Sequence, residues 1–185
     1  MRKIIFQMMV SIDGSFEGQN KELDWHNVDE EFNEYAINFL KHVDVLLFGR
    51  VTYELMANYW PTKQAITDDP VVAEKMNSLH KIVFSKTLKK TDWNNTRLVN
   101  DSIDEEISSL KHKKGKNIAI FGSSNLGIIL VQHNLIDEYR IFVNPIVLGH
   151  GKSLFEGIDD RLKLKLIKTK IFKSGNVLLY YEPRK

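Results

Sequence analysis

Cysteine is absent from this chain, and neither sign of charge dominates it. The first absence excludes disulfides, thiolate metal sites and cysteine nucleophiles. The formal net charge is only +2, so the composition gives no reason to expect a nucleic acid or a membrane surface as a partner. Long apolar runs are also missing, since the segment 3–10 is too short for a signal peptide or a membrane span. These absences together favour a cytoplasmic location.

The motifs of several enzyme classes are missing as well. None of the six histidines has the His-Glu-x-x-His spacing, so we expect no metal site. No Gly-x-Ser-x-Gly or P-loop sequence is present, which argues against a serine hydrolase or a nucleoside triphosphatase. The chain has 43% hydrophobic and 27% charged residues without repeats or linkers. It is therefore predicted to form one globular domain over residues 1–185.

Hydrophobic periodicity in the first two thirds of the chain indicates strands that alternate with helices. Strands are predicted over 3–12, 44–49, 80–85, 96–100 and 117–122, and helices over 29–43, 52–60, 70–77, 103–112 and 124–134. This alternation is typical of a mostly parallel sheet with helices on both faces.

The last third of the chain contains strands alone. We predict a long strand over 137–148 that is broken by Pro145, and a hairpin of strands 162–172 and 177–182. Alternating leucine and lysine residues between 162 and 166 are typical of a strand with one solvated face. The predicted fold class is therefore an α/β three-layer sandwich, whose central sheet is mostly parallel and ends in a C-terminal antiparallel hairpin.

Two predicted strands end in the same way, with a glycine followed at once by a helix. One lies at 118–126 and the other at 45–52. The free N–H groups and the positive dipole end of such a helix can hold a phosphate. Two such ends suggest a ligand with two phosphate groups, as in a dinucleotide. Arg50 fits a phosphate ligand, although it could equally bind local carbonyls or a surface acid.

Six segments resemble a known family, in the same order along the chain. They are 9–14, 47–54, 81–86, 121–126, 135–139 and 145–151. The chain resembles the dihydrofolate reductase-like proteins that also form the C-terminal reductase domain of the bacterial bifunctional riboflavin-biosynthesis enzyme. The resemblance implies NADPH bound along the carboxyl ends of the strands, and hydride transfer to a pteridine-like or pyrimidine-like ring. It also implies a homodimer, for which residues 144–155 are the expected contact.

The cofactor site implied by the resemblance combines both strand ends with the end of the strand 80–85. Its candidate residues are Gly49, Arg50, Thr52, Ser85, Lys86, Gly122, Ser123, Ser124, Asn125 and Leu126. Many members of the family have a second glycine where this chain has Ser123. Thr52 is either a plain helix cap or a cap that also meets phosphate. The segment 122–126 could also be an ordinary strand–helix turn with a serine cap.

No acid of this chain matches the substrate-facing carboxylate of dihydrofolate reductases. Asp13 is the candidate proton donor, although Asp-Gly is also a common turn. Trp25 either stacks on a flat substrate or has a plain packing role.

The predicted function is an NADPH-dependent reductase of a small flat heterocycle. Its two closest chemistries are 5-amino-6-(5-phosphoribosylamino)uracil reduction, as in riboflavin biosynthesis, and dihydrofolate reduction. The zinc site of the deaminase in riboflavin biosynthesis requires cysteine, and this chain has none. A role in that pathway would therefore need a separate deaminase. The alternative is a catalytically silent dimeric protein that binds NADPH or another ligand.

Overall fold

The computed structural model describes residues 1–158 and 160–184. The strands are β1 (Ile4–Val10), β2 (Ser15–Gly18), β3 (Val43–Gly49), β4 (His80–Phe84), β5 (Thr96–Val99), β6 (Asn117–Phe121), β7 (Glu138–Val143), β8 (Gly151–Ser153), β9 (Leu164–Ile171) and β10 (Val177–Pro183). The helices are α1 (Glu30–Leu40), α2 (Arg50–Tyr59), α3 (Lys63–Asp68), α4 (Pro70–Ser78), α5 (Ile103–His112) and α6 (Ser124–Gln132). None of these helices has the length and apolar character needed to span a membrane.

An eight-stranded sheet in the order β5-β4-β3-β6-β1-β7-β10-β9 forms the centre of the molecule. The six strands from β5 to β7 are mutually parallel. β10 then runs antiparallel to β7, and β9 antiparallel to β10. The predicted fold class is confirmed, including the C-terminal antiparallel hairpin.

Both faces of the sheet are covered, because successive residues of each central strand point to opposite sides. On one face, Ile4 and Leu47 pack with buried residues of α5 and α6. On the other face, Ile5 and Leu46 pack with buried residues of α1, α2 and α4. This explains why the central strands are continuous apolar runs rather than alternating ones.

Some predicted boundaries were wrong. β7 ends at Val143, not at residue 148, because the buried Asn144 turns the chain away. The N–H of Asn144 still donates to the Val10 carbonyl (2.7 Å), and its Oδ1 accepts from the N–H of Asn27 (2.9 Å). The chain then returns as β8 to form a two-stranded sheet with β2.

The sequence patterns had not predicted β2, β8 or α3. These elements are only 4, 3 and 6 residues long, too short to display a hydrophobic period. α2 also begins two positions earlier than predicted, at Arg50.

Candidate functional site

A cleft with a volume of about 1390 Å³ opens at the carboxyl ends of the parallel strands. All residues predicted from the sequence to bind the cofactor line it, namely Gly49, Arg50, Thr52, Ser85, Lys86, Gly122, Ser123, Ser124, Asn125 and Leu126. Sites for one small ligand usually measure roughly 300–1,000 Å³. The cleft is therefore large enough for a dinucleotide and a second molecule.

Two helix N-termini meet in this cleft, because the strands before them are neighbours. Leu47 of β3 pairs with Ile120 of β6, and each strand reaches its glycine two residues later. α2 begins directly after Gly49, and α6 begins at Ser124. Neither N-cap residue, Gly49 or Ser123, makes a side-chain hydrogen bond to the N–H groups of its own helix. The first N–H groups of both helices are therefore free to bind an anion.

Ser123 ties the two turns together. The N–H of Gly49 donates to Ser123 Oγ (2.9 Å), and the N–H of Ser123 donates to Thr52 Oγ1 (2.9 Å). The backbone N–H groups of Gly49 and Ser123 are therefore already hydrogen-bonded within the protein. Ser123 stands at the N-cap position of α6, as one sequence interpretation had it, but its hydroxyl and that of Thr52 each bond to the opposite turn rather than to their own helix. Gly122 has φ +61°, and a Cβ there would lie 3.2 Å from Thr52 Cγ2, so the close approach of the turns needs glycine.

Arg50 lies at the edge of the cleft and pairs with Glu54 across one helical turn, with 2.9 Å between Nη1 and Oε2. In this structure Arg50 is therefore paired with a surface acid, which is one of the alternatives that the sequence left open. Both side chains are more than two fifths exposed, and such pairs are weak. Arg50 can therefore exchange its partner for a phosphate at little cost.

Ser85 shapes the loop that follows β4. Its Oγ accepts hydrogen bonds from the N–H groups of Thr87 (3.2 Å) and Leu88 (3.0 Å). This turn leaves the exposed Lys86 at the rim of the cleft. Lys86 therefore contributes positive charge near the site, while Ser85 holds the backbone that carries it.

Asp13 does not line the cleft, and its environment does not fit the role of proton donor. Its carboxylate accepts hydrogen bonds from the N–H groups of Leu148 (3.1 Å) and Gly149 (2.9 Å). The Ser11 hydroxyl has the largest effect, and with these two N–H groups it lowers the pKa of Asp13 to about 2. The side chain is therefore ionised at neutral pH. This corrects the sequence-based assignment, because Asp13 anchors the 146–150 loop.

Trp25 also lies outside the cleft lining. Its indole N–H donates to the Glu22 carbonyl (3.0 Å), and its ring meets His26 edge-on with 4.4 Å between centroids. Of the two sequence interpretations, packing describes Trp25, and the substrate-stacking role is not supported. The neighbouring His26 lines the cleft instead. Burial lowers the pKa of His26, so this imidazole is neutral at pH 7.

Much of the rest of the cleft is apolar, and sequence reasoning had missed it. Its lining includes Met8, Met9, Phe16, Leu23, Val28, Phe32, Ala36, Phe39 and Leu40. These side chains come from β1, β2, α1 and the segment before α1, which the sequence gives no reason to group. They offer flat, water-excluding walls beside the two helix N-termini, and this suits a planar ring.

Gln7 is a polar member of this region that the sequence could have indicated. It interrupts the otherwise apolar strand β1 and lines the cleft. Its Oε1 accepts a hydrogen bond from the hydroxyl of Tyr35 (2.7 Å), which in turn contacts Arg140. A lone amide in a buried strand is the signal of such a position, since a buried polar group needs a partner.

Comparison with known proteins gives the chain a family. Residues 2–178 match the family model of the RibD C-terminal domain. Two proteins of Bacillus subtilis (strain 168) are related along almost their whole length. Uncharacterized protein YyaP is 35% identical over 180 residues, covering 97% of this chain and 94% of that protein. Uncharacterized protein YwjB is 30% identical over 182 residues, covering 97% of each.

Solved structures share the fold at lower identity. A Shewanella sp. PV-4 protein, described provisionally as a riboflavin biosynthesis protein, has a TM-score of 0.76 at 24% identity and covers 100% of both chains. The Thermotoga maritima diaminohydroxyphosphoribosylaminopyrimidine deaminase/5-amino-6-(5-phosphoribosylamino)uracil reductase has a TM-score of 0.70 at 14% identity, over 99% of this chain and 57% of that one.

Enterococcus faecalis dihydrofolate reductase, complexed with NADP(H), has a TM-score of 0.66 at 16% identity, over 99% of this chain and 97% of that one. The fold is thus that of the dihydrofolate reductase-like proteins, and the family supports an oxidoreductase activity. From the family match over residues 2–178 and the identity to both Bacillus proteins, the chain belongs to the RibD C-terminal domain family.

Proposed function

We propose that this protein is an NADPH-dependent reductase that transfers a hydride to a small flat heterocycle. The proposed chemistry is most like that of 5-amino-6-(5-phosphoribosylamino)uracil reductase in riboflavin biosynthesis, or of dihydrofolate reductase. One observation carries the proposal: two helix N-termini without side-chain caps open side by side into one cleft whose other part is apolar.

The phosphate-facing part of the cleft fits a dinucleotide. The first N–H groups of α2 and α6 supply donors for two phosphate groups. Arg50 and Lys86 supply the positive charge that would favour the additional phosphate of NADPH over NADH. When bound, the cofactor supplies the hydride chemistry, and the protein orients the two rings and excludes water.

The apolar part of the cleft supports a planar substrate. Phe16, Phe32 and Phe39 line it together with Met8 and Met9. Aromatic and methionine side chains pack on flat rings without directional hydrogen bonds. A pterin-like or pyrimidine-like ring fits such walls, and the family membership supports the same class of substrate.

A comparison of Arg50 with a second exposed arginine tests the cofactor assignment. Arg50→Ala should weaken NADPH binding about tenfold in calorimetry and leave NADH binding nearly unchanged, because one charged phosphate contact is lost. Arg97→Ala is the matched control, since Arg97 also pairs with a glutamate but lies outside the cleft. No uptake of NADPH by the wild-type protein would overturn the proposal.

The second candidate function is a catalytically silent NADPH- or ligand-binding protein. The observation that favours it is the position of Asp13, whose ionised carboxylate lies outside the cleft and so leaves the reaction without its proposed acid. Loss of NADPH absorbance with pterins, pyrimidines or quinones supports the reductase. Tight NADPH binding without oxidation by any of them supports the silent protein.

We further propose a cytoplasmic homodimer, with residues 144–155 as part of the contact. Val147 and Phe155 in this segment are 63% and 38% exposed. Exposed apolar side chains of this kind are suited to an interface between subunits.

A further inference from the structure

Gln7 lies where the phosphate-facing part of the cleft meets the apolar part. Its Cα is paired with Phe121 of β6 on one side and with Arg140 of β7 on the other. Phe121 directly precedes Gly122, at the turn into α6. A group presented by Gln7 would therefore stand near the junction of two bound molecules.

A chain of hydrogen bonds reaches Gln7 from behind. Arg140 Nε donates to Glu138 Oε1 (2.7 Å), and Arg140 Nη1 donates to the Tyr35 oxygen (3.0 Å). A guanidinium can only donate, so the Tyr35 oxygen must accept. The Tyr35 hydroxyl in turn donates to Gln7 Oε1, 2.7 Å away.

The protonation of Tyr35 is secure. Burial raises the pKa of its phenol above the ordinary value, even though Arg140 acts in the opposite direction. The phenol therefore keeps its hydrogen at every pH at which the protein would work. The rings of Tyr35 and Phe142 meet edge-on at 5.2 Å between centroids, which holds the hydroxyl in place.

The hydrogen bond from Tyr35 sets which end of the Gln7 amide faces the cleft. With Oε1 held by Tyr35, the other end is Nε2, which has two hydrogens to donate. Within residues 1–158 and 160–184, Nε2 has no protein acceptor, and it is not among the fully buried unpaired atoms. Gln7 lines the cleft, whereas Tyr35 and Arg140 do not.

We propose that Gln7 presents a fixed N–H donor to the cleft and recognises a carbonyl oxygen on a flat ring, with Tyr35 and Arg140 as its positioning residues. This inference rests on the proposed function of the same cleft. Two molecules could supply the oxygen: the carboxamide of a bound nicotinamide, or a ring carbonyl of the heterocyclic substrate. Both offer the same acceptor chemistry.

Gln7→Leu removes the donor at similar size and tests the proposal with three probes. They are NADPH, ADP-ribose 2′-phosphate, which lacks the nicotinamide, and pterin added to protein saturated with NADP⁺. A nicotinamide contact predicts NADPH binding weakened about fivefold to tenfold, with ADP-ribose 2′-phosphate unchanged. A substrate contact predicts the same loss for pterin alone. Gln64→Leu, on the exposed surface of α3, should change neither.

Gln7→Glu complements the first test, because it replaces the donor at this position with an acceptor. One carboxylate oxygen can still accept from Tyr35, and the other then faces the cleft as a charged acceptor. Binding of the affected probe should fall by more than in Gln7→Leu, because two acceptors now face each other.

Tyr35→Phe tests the positioning role. It should weaken the same probe less than Gln7→Leu, and it should have no further effect when added to Gln7→Leu, because Tyr35 acts through Gln7. Tyr181→Phe is the control, and thermal unfolding confirms that each variant is folded.

Two kinds of failure are distinguishable. If wild-type protein binds neither NADPH nor ADP-ribose 2′-phosphate, the proposed function fails. If wild-type protein binds NADPH but Gln7→Leu binds NADPH and pterin as wild-type protein does, the inference about Gln7 is wrong while the proposed function stands. An equal effect of Tyr35→Phe in both backgrounds would remove Tyr35 from the positioning role.

Discussion

Ser123 is the residue that joins the turns before α2 and α6. Its φ of +50° lies in the left-handed region, which glycine adopts without a steric cost. The backbone at Ser123 is therefore strained. Its side chain provides a hydroxyl that accepts a hydrogen bond from the N–H of Gly49. Without this hydrogen bond, the N–H of Gly49 could donate to a phosphate. Ser123 therefore links the two turns rigidly and removes one possible donor to a ligand.

Substitution of Ser123 separates the hydrogen bond from the strain. Ser123→Ala loses the acceptor and keeps the strain, so its unfolding free energy should fall by about 1–2 kcal/mol. Ser123→Gly loses the same acceptor but relieves the left-handed backbone, so it should be about 1 kcal/mol more stable than the alanine variant. Urea denaturation measures both values. Equal stability of the two variants would show that φ at this position carries no cost.

Asp13→Asn should separate anchoring of the loop from chemistry in the cleft. NADPH affinity should stay at the wild-type value, because Asp13 lies outside the cleft. Thermal stability at neutral pH should fall, since the amide replaces the charged acceptor of two N–H groups.

The pH dependence of that loss has a defined sign. The pKa of Asp13 falls from 3.8 to about 2 on folding, so its contribution is complete above the unfolded pKa. The contribution is lost as the pH falls through the folded pKa. The stability difference between wild-type protein and Asp13→Asn should therefore shrink between about pH 4 and pH 2. A difference that is constant over this range would contradict the assigned hydrogen bonds.

At the scale of elements, the contact between α6 and β1 holds the second helix N-terminus in place. A Cβ on Gly127 would lie 2.4 Å from Phe6 Cζ, and Phe6 is fully buried. The helix therefore packs directly on the ring. From the sequence, Gly127 is only a weak helix former; the reason for its presence is a neighbour that is far away in the chain.

Gly127→Ala should lower the unfolding free energy by about 1–3 kcal/mol through overpacking, although alanine favours the helix itself by about 1 kcal/mol. In a Phe6→Leu background the same substitution should cost less, because the smaller side chain leaves room for the methyl group. A double-mutant cycle in denaturant measures the coupling. Strict additivity of the two substitutions would refute this contact.

At the scale of the whole molecule, the sheet brings together strand ends that are far apart in sequence. Gly49 and Ser123 are 74 positions apart and share a hydrogen bond. β3 and β6 are neighbours in the sheet although β4 and β5 lie between them in the chain. The sequence could indicate two phosphate-binding ends, but their adjacency depended on this strand order.

The proposed dimer is tested by the size of the particle in solution. Val147→Asp should convert a species of twice the chain mass of 21.5 kDa into a monomer, because a charge would be buried at the contact. Ile66→Asp is the control, since this exposed side chain lies on α3 outside the segment 144–155. A wild-type protein that elutes as a monomer would contradict the dimer itself.

That residues 1–185 form a single domain also stays a prediction, which one cooperative unfolding transition would support.

The sequence by itself determined the fold class and the two glycines that end a strand in front of a helix. Both follow from local signals, since apolar periodicity defines each long strand and helix, and a glycine before a helix exposes N–H groups whatever surrounds it. Tertiary structure alone decided that Asp13 lies outside the cleft and that Tyr35 holds the amide of Gln7. Side chains such as these are placed by partners more than a hundred residues away, Leu148 for Asp13 and Arg140 for the chain that reaches Gln7. No local pattern records such long-range contacts.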